Sequence, residues 1–414
     1  MPKLLNRQTT SWCLYDWGSS AYSTIVNTFV LAAYFSQAVA SNHILGTSQW
    51  GYATALAALL TALISPFLGS IADHRGNARF WFNSLNVFVI LGIAAWWWVK
   101  PGTTGIAIAL SLCFICNFCY ETAFVLYNGM LKNIAPASHV GRLSAWGYAL
   151  GYAGGTVCLI VVLFLLINNS FNIAFLKTDY HAIRLVGPVT AIWYLLFCLP
   201  VFLHFKPVNT TLNKTYNIKN AWQDIVNTLK TVRQQSTLFT FLLARLFFID
   251  GLNTIFAFAG IYAAGTFGMS TKEIMYIAIG SQIFALIGAW SFAKLDDKIG
   301  PLTCLRIALC ILMLMILGLV FAESHLFFWI FAMGLSLTIG PIQSCSRSYI
   351  IRISDPEIIN KNFGFFTLSG KITAFIGPWM VALTTSLAQN QRAGIVPVLL
   401  LVAIGYFILI KLKK

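Results

Sequence analysis

Apolar runs of 18 to 30 residues, interrupted by short polar breaks, recur along the chain and predict twelve helices at about 12–38, 48–72, 80–99, 104–131, 141–167, 183–205, 238–267, 272–293, 302–322, 325–351, 363–388 and 394–411. At 1.5 Å of rise per residue, runs of this length can cross a hydrocarbon layer about 30 Å thick. One polar break is long. It covers 206–237 and divides the helices into two groups of six. Its second part, Ala221 to Val232, has the spacing of an amphipathic helix lying on a membrane surface. The pattern predicts an all-α polytopic membrane protein with an N-terminal six-helix half (1–205), a cytoplasmic central loop (206–237) and a C-terminal six-helix half (238–414).

Composition removes the alternatives. Charged residues make up 9% of the chain and hydrophobic ones 58%, against about 25% charged in an average soluble domain. Twelve spans of about 20 residues leave short connections and no room for a soluble catalytic domain. No nucleotide-binding loop, Ser-His-Asp arrangement or His-rich motif is present, so neither an enzyme nor a cofactor is expected. The nine cysteines all fall in apolar stretches and read as packed thiols. Cys113, Cys116 and Cys119 lack a fourth ligand, and the histidines lie in breaks or near helix ends without ligand spacing, so no metal site is expected.

A net charge of +15 bears first on topology rather than on nucleic acid. The termini and the breaks after even-numbered helices hold about 19 Lys and Arg, the other breaks about five, and three lie inside spans. Both termini are therefore expected in the cytoplasm, in a multi-pass protein of a bacterial inner membrane. Lys3, Arg7 and Ala38-Val39-Ala40 imitate a signal peptide, but the first apolar run is too long and contains Asp16. The sequons at Asn209 and Asn213 fall in the cytoplasmic break, and Trp96-Trp97-Trp98 before Lys100 reads as an interfacial belt.

Six charges fall well inside spans: Asp16, Glu121, Arg245, Asp250, Arg347 and Lys371. Each would cost about 2.5–3.5 kcal/mol unpaired at the bilayer centre, so they must pair or line water. All three bases lie in the second half, so Asp16 and Glu121 are expected within charge reach of Arg347 or Lys371. Helical spacing aligns Asp16, Ser20, Ser23 and Asn27 on one stripe, Asn117, Glu121 and Asn128 on another, and Ser336, Gln343 and Arg347 on a third. Together with Arg245, Asp250, Asn253 and Lys371 these stripes are expected to line a solute and proton pathway, unless the pairs only fix helix register. Gly147, Gly151 and Gly155 form a seam for close helix packing.

The halves echo one another. Gly69, Asp73, Arg75 and Gly76 follow the second helix, and Asp297 and Gly300 follow the eighth, with the two Asp residues 224 positions apart. These are the expected cytoplasmic gate, in which a carboxylate meets the positive end of a helix from the other half; the alternative is a helix-end carboxylate in water.

The Gly69–Arg79 segment resembles the loop signature of the major facilitator superfamily. Tyr15-Asp16-Trp17-Gly18-Ser19-Ser20, Asp250-Gly251-Leu252-Asn253-Thr254, Gly340-Pro341-Ile342-Gln343-Ser344, Phe363-Gly364-Phe365-Phe366 and Gly377-Pro378 are similar to motifs of its vacuole-effluxer-like branch. The branch usually has Ala-Asn in place of Gly18-Ser19 and Gly-Gly in place of Gly340-Pro341. The resemblance implies a secondary transporter working by alternating access, and points to amino acids as solutes, as in fungal vacuolar export. Coupling to a proton is expected, with Glu121 the first choice of carrier and Asp16 the second; an uncoupled facilitator or a transport-dead receptor are the alternatives. The expected partners are a small-molecule solute, a proton and the bilayer, with no nucleic acid, and the expected state is a monomer.

Overall fold

A computed structural model describes residues 6–41, 43–135, 137–167, 173–177, 180–204, 222, 223, 227, 236–269 and 271–412. Among them every regular element is helical. The chain opens with α1 (Arg7–Ala21), and then runs α2 (His43–Arg75), α3 (Ala78–Ala94), α4 (Thr103–Ile134), α5 (Val140–Val162) and α6 (His181–His204). The later helices are α7 (Ser236–Phe267), α8 (Thr271–Ile299), α9 (Pro301–Phe321), α10 (His325–Ile353), α11 (Ile359–Lys371), α12 (Ile376–Ala388) and α13 (Gln391–Ile410). Most of the expected loop at 206–237, with the surface helix proposed there and both sequons, lies outside the described residues.

Among the described residues, eleven segments are long and apolar enough to cross a membrane. The first expected span falls short of that standard because Arg7–Phe29 is too polar and the helix is interrupted at Val30; beyond Ala21 it continues as wider π-helical turns over Tyr22–Phe29 and Phe35–Val39. Ser23 and Thr28 hydroxyls turn back onto the carbonyls of Ser20 and Ser23 there, competing with the regular ladder. The eleventh expected helix is two. α11 and α12 are separated at 372–375, just ahead of Pro378, which has no N–H to return to the carbonyl four residues back.

Side chains exposed on the outer faces are large and apolar, among them Leu63, Phe88, Trp290, Leu387 and Phe407, as a lipid-facing surface requires. Inside, the glycine seam of α5 lies on α1. A side chain at Gly147 would strike Trp12 and Asp16, one at Gly151 would come within 2.6 Å of Ser20 Oγ, and one at Gly155 within 2.6 Å of Thr24 Oγ1. The Trp belt divides: Trp98 is exposed, but Trp96 is buried against Trp50 because the helix tightens to 3-10 turns over Ala95–Trp98.

The two groups of six share an internal plan. Tyr34 and Tyr262 donate to the carbonyls of Val99 and Leu319. Arg184 and Arg392 donate to those of Trp97 and Val320, and Arg79 and Arg306 hold the last carbonyls of α6 and α13. Each arginine sits where a helix C-terminus presents its negative end.

Candidate functional site

A cavity of about 540 Å³ lies between the two groups of helices, within the 300–1,000 Å³ that small-molecule sites occupy. Its walls come from α1 and its π-helical continuation (Asp16, Ser20, Thr28), α4 (Tyr120, Glu121, Phe124), α5 (Tyr148, Tyr152), α7 (Phe256, Gly260), α8 (Ser281, Gln282) and α10 (Gln343). The lining extends away from the side that bears residues 6 and 412, toward Phe29, Ala263 and Ile277.

Two ion pairs join the groups at this cavity. Lys371 Nζ, the last residue of α11, lies 3.1 Å from Glu121 Oε1 on α4; the side chains are 21% and 33% exposed. Arg347 Nη1 on α10 lies 3.7 Å from Asp16 Oδ2 on α1, and the Arg347 side chain is fully buried. Arg347 Nε donates to Ser144 Oγ at 2.9 Å, Nη2 to Ser144 O at 2.5 Å and Nη1 to Asn128 Oδ1 at 3.1 Å. The guanidinium also lies over the rings of Tyr148 (4.2 Å) and Trp12 (4.7 Å). Asp16 Oδ2 accepts from Tyr127 OH at 2.7 Å. Both cross-group pairings expected from the charge distribution are thus present.

The rest of the expected pathway divides by geometry. Asp16, Ser20, Glu121 and Gln343 line the cavity. Asn128, Arg347 and Lys371 stand behind it, the last two paired with Asp16 and Glu121 of the wall. Asn27, on the π-helical continuation of α1, and Asn117, on α4, are spent on each other, Asn27 Nδ2 donating to Asn117 Oδ1 at 2.9 Å. Asn253 is exposed and outside the wall. Arg245 and Asp250 face α11 and α12 instead: Arg245 Nη1 donates to Phe366 O and Ser369 Oγ, and Asp250 Oδ2 accepts from Gly377 N–H. Gly377 N–H, in the first turn of α12, is one of the peptide groups that the helix break leaves without an intrahelical partner, and Asp250 supplies one.

The side bearing the termini is closed by two matching contacts. Asp73, at the end of α2, accepts from Asn360 Nδ2 at 2.6 Å, Asn360 N–H at 3.3 Å and Lys361 N–H at 2.8 Å, so it caps the N-terminus of α11 from outside the helix. Asp297, at the end of α8, accepts from Arg142 N–H in the first turn of α5 at 3.1 Å and pairs with Arg142 Nε at 3.2 Å. Gly69 allows the first contact, since a side chain there would strike the Asn360 backbone. Gly76 (φ +64°) and Gly300 (φ +86°) make the left-handed turns that follow. Arg75 is exposed on this side. Asp296 joins the seal, accepting from Ser348 Oγ at 2.5 Å and pairing with Arg352 at 3.4 Å, and Lys132 Nζ donates to Ile351 O at 2.6 Å.

The family model of "Vacuole effluxer Atg22 like" proteins matches residues 38–414. The chain belongs to this Atg22-like family. It is 29% identical over 413 residues to the uncharacterized MFS-type transporter YxiO of Bacillus subtilis, covering 99% of this chain and 95% of that protein. To autophagy-related protein 22 of Cryptococcus neoformans it is 24% identical over 286 residues, 64% of this chain, and the match spans about half (51%) of the fungal protein. Among solved structures it resembles FucP, a major facilitator superfamily transporter in the outward conformation (TM-score 0.76, 15% identity, 99% and 98% of the two chains), and the proton:xylose symporter XylE (TM-score 0.74, 14% identity, 99% and 94%). This Atg22-like chain is a multi-pass membrane protein and a transporter of the major facilitator type.

Several groups at the site carry no sequence signal of their own. Tyr120, Tyr148 and Tyr152 line the cavity, yet an aromatic residue in an apolar run reads as core. Asp296 is hidden by its neighbour, because the spacing to Gly300 that mirrors the first half belongs to Asp297.

Proposed function

We propose that this protein moves a small zwitterion, amino-acid-like in its charges, by proton-driven alternating access across a bacterial inner membrane, with both termini in the cytoplasm. One observation carries the reading: Glu121, a carboxylate on the cavity wall, stands 3.1 Å from the ammonium group of Lys371 just behind that wall, the pair half-buried and with no other charged partner among the described residues. A solute bearing both charges replaces this pair ion for ion, so entry into the membrane interior leaves neither residue unpaired. Arg347 does not serve as such a partner, because Ser144, Asn128 and Asp16 occupy its donors. The family description supports solute export, and the basic residues concentrated beside the sealed side support a cytoplasmic placement of that side.

The two groups of six helices act as rigid halves in this reading. The seals at Asp73 and Asp297 hold the cytoplasmic side shut in the present conformation, and the opposite conformation requires both to part. Counterflow of a panel of radiolabelled zwitterions in proteoliposomes, with and without an imposed pH gradient, tests the proposal. Accumulation above equilibrium with the gradient, lost in Glu121→Gln, is expected. Equilibration that ignores the gradient would make the protein a facilitator, and no exchange of any zwitterion would reject the reading.

A further inference from the structure

The eleventh span is broken, and α7 sets one charged side chain against each of its two pieces. Within α11, Arg245 donates to Phe366 O (2.5 Å) and Ser369 Oγ (3.1 Å) and lies 3.4 Å from the centre of the Phe366 ring. Five residues further along α7, Asp250 Oδ2 accepts from Gly377 N–H in the first turn of α12 at 3.1 Å. Between these points the backbone makes tight three-residue bonds, Ala374 N–H to Lys371 O (3.2 Å) and Ile376 N–H to Thr373 O (2.7 Å).

Asp250 is 2% exposed and, unlike Asp16 and Glu121, has no cationic partner among the described residues. Its Oδ1 is buried with no hydrogen-bond partner, and so is Thr254 Oγ1, one turn along the same face of α7. Both oxygens point at one place: a side-chain carbon on Gly377 would lie 3.2 Å from Asp250 Oδ1 and would overlap Thr254 Oγ1.

The charged groups of the surrounding helices are engaged elsewhere or exposed. Lys371 of α11 is on Glu121 and Lys361 is in the first turn of α11 at Asp73; Arg347 and Arg352 of α10 are on Asp16 and Asp296. Arg392 of α13 is on the Val320 carbonyl, while Lys294 and Lys298 of α8 are exposed. α12 has no charged residue, and α13 meets Gly251 of α7 with Val398, Leu401 and Val402. A carboxylate in such surroundings must be neutralised by something it binds.

We propose that Asp250 and Thr254 form a proton-binding site at the helix break. In this conformation Oδ1 carries the proton and faces the same enclosed space as Thr254 Oγ1, while Oδ2 keeps its bond from Gly377 N–H. The step is a plain protonation, carboxylate plus one H⁺ giving the carboxylic acid, reversed when the proton leaves. The site selects a proton over a metal ion. Two free oxygens fall well short of the six or more that hard cations such as calcium collect, and the N-terminus of α12 turns its positive end to the site. Losing the proton restores a full negative charge at that helix end and tightens the cap, so proton occupancy is coupled to the break that ends at Lys371. The coupling role rests on the proton-driven reading above, but the bound proton is testable without any solute.

The experiment is infrared spectroscopy of the full-length protein in liposomes at neutral pH, in H₂O and D₂O. The expected result is a carbonyl stretch of a protonated carboxylic acid that disappears in Asp250→Asn and persists in Asp16→Asn and Glu121→Gln. Thr254→Val, which replaces the hydroxyl facing Oδ1 with a methyl group, should move the same band to higher wavenumber and serves as the test if Asp250→Asn fails to insert. A band that survives in Asp250→Asn, no such band in the parent protein, or an unmoved band in Thr254→Val would overturn the proposal. Solute movement indifferent to a pH gradient, with the Asp250 band present, would remove the coupling reading and leave the proton site standing.

Discussion

Beside the cavity two acid–base pairs tie the first six helices to the last six, and they share little beyond their charges. Arg347 is sealed in protein, with Ser144, Asn128 and Asp16 on its donors and two aromatic rings against its face. Glu121, on the cavity wall, and Lys371 behind it have only each other as charged partners among the described residues and sit partly in the open. A fully satisfied buried network specifies one arrangement of its helices, so the Arg347 cluster belongs to the framework. A half-exposed pair costs little to separate, so it is the pair that an incoming solute can open. Chemically similar pairs have therefore been placed for opposite purposes, one to stay closed and the other to exchange partners.

The contrast predicts where damage falls. Arg347→Ala should do most harm, because it strands Asp16 without its counter-charge; a loss of about 3–5 kcal/mol is expected, read as a lowered unfolding midpoint in detergent together with loss of transport. Arg347→Lys keeps the charge but not the planar fork that reaches Ser144 and Asn128 together, and should remain substantially destabilised. If either variant keeps parent stability, the cluster is not framework.

Lys371→Gln and Glu121→Gln should behave in the opposite way. Stability should change by no more than about 1 kcal/mol, while the half-saturation constant for the transported zwitterion rises tenfold or more, measured by counterflow. Exchanging the two charges, Glu121→Lys with Lys371→Glu, should restore folding fully and transport poorly, because the solute then meets each charge on the wrong helix. Wild-type kinetics in the exchanged protein would show that only the presence of the pair matters.

The smallest effect is expected at the seal. Asp73→Ala removes a carboxylate that caps α11 from α2, an interaction of about 0.3–2 kcal/mol, so the population should shift several-fold toward the conformation open on the terminal side. Labelling of a Ser23→Cys variant with a membrane-impermeant thiol reagent applied from the far side would report this as slower modification. Asp73→Asn keeps an acceptor oxygen and should shift the population less. Faster labelling in Asp73→Ala would mean that the contact opposes closure.

Helix positions were legible in the sequence because lipid leaves one solution for long apolar runs, and the expected ends fall within several residues of α2 to α10 and α13. The cross-group pairing was legible too, because acids and bases in the membrane are few and the bases are confined to the second half. The interruptions were not. The π-helical turns after Ala21 arise from hydroxyls competing with the backbone ladder, a contest without an apolar period to betray it. The break before Ile376 is marked by Gly377-Pro378, but a proline alone does not tell a kink from a full interruption. That gap hid the partners of Arg245 and Asp250, which face α11 and the first turn of α12 and stand outside the cavity wall.

The central claim is that the transported zwitterion takes up the charges of Glu121 and Lys371. Ser20, on the cavity wall, offers the most direct test. A Ser20→Cys variant should be modified by an impermeant thiol reagent, and a zwitterion found by counterflow should slow that modification at saturating concentration. The protection should vanish when Lys371→Gln is added, since the solute then lacks the partner for its carboxylate. Protection undiminished in the double variant would contradict the account, because the solute would be bound without the ion pair on which the proposed function depends.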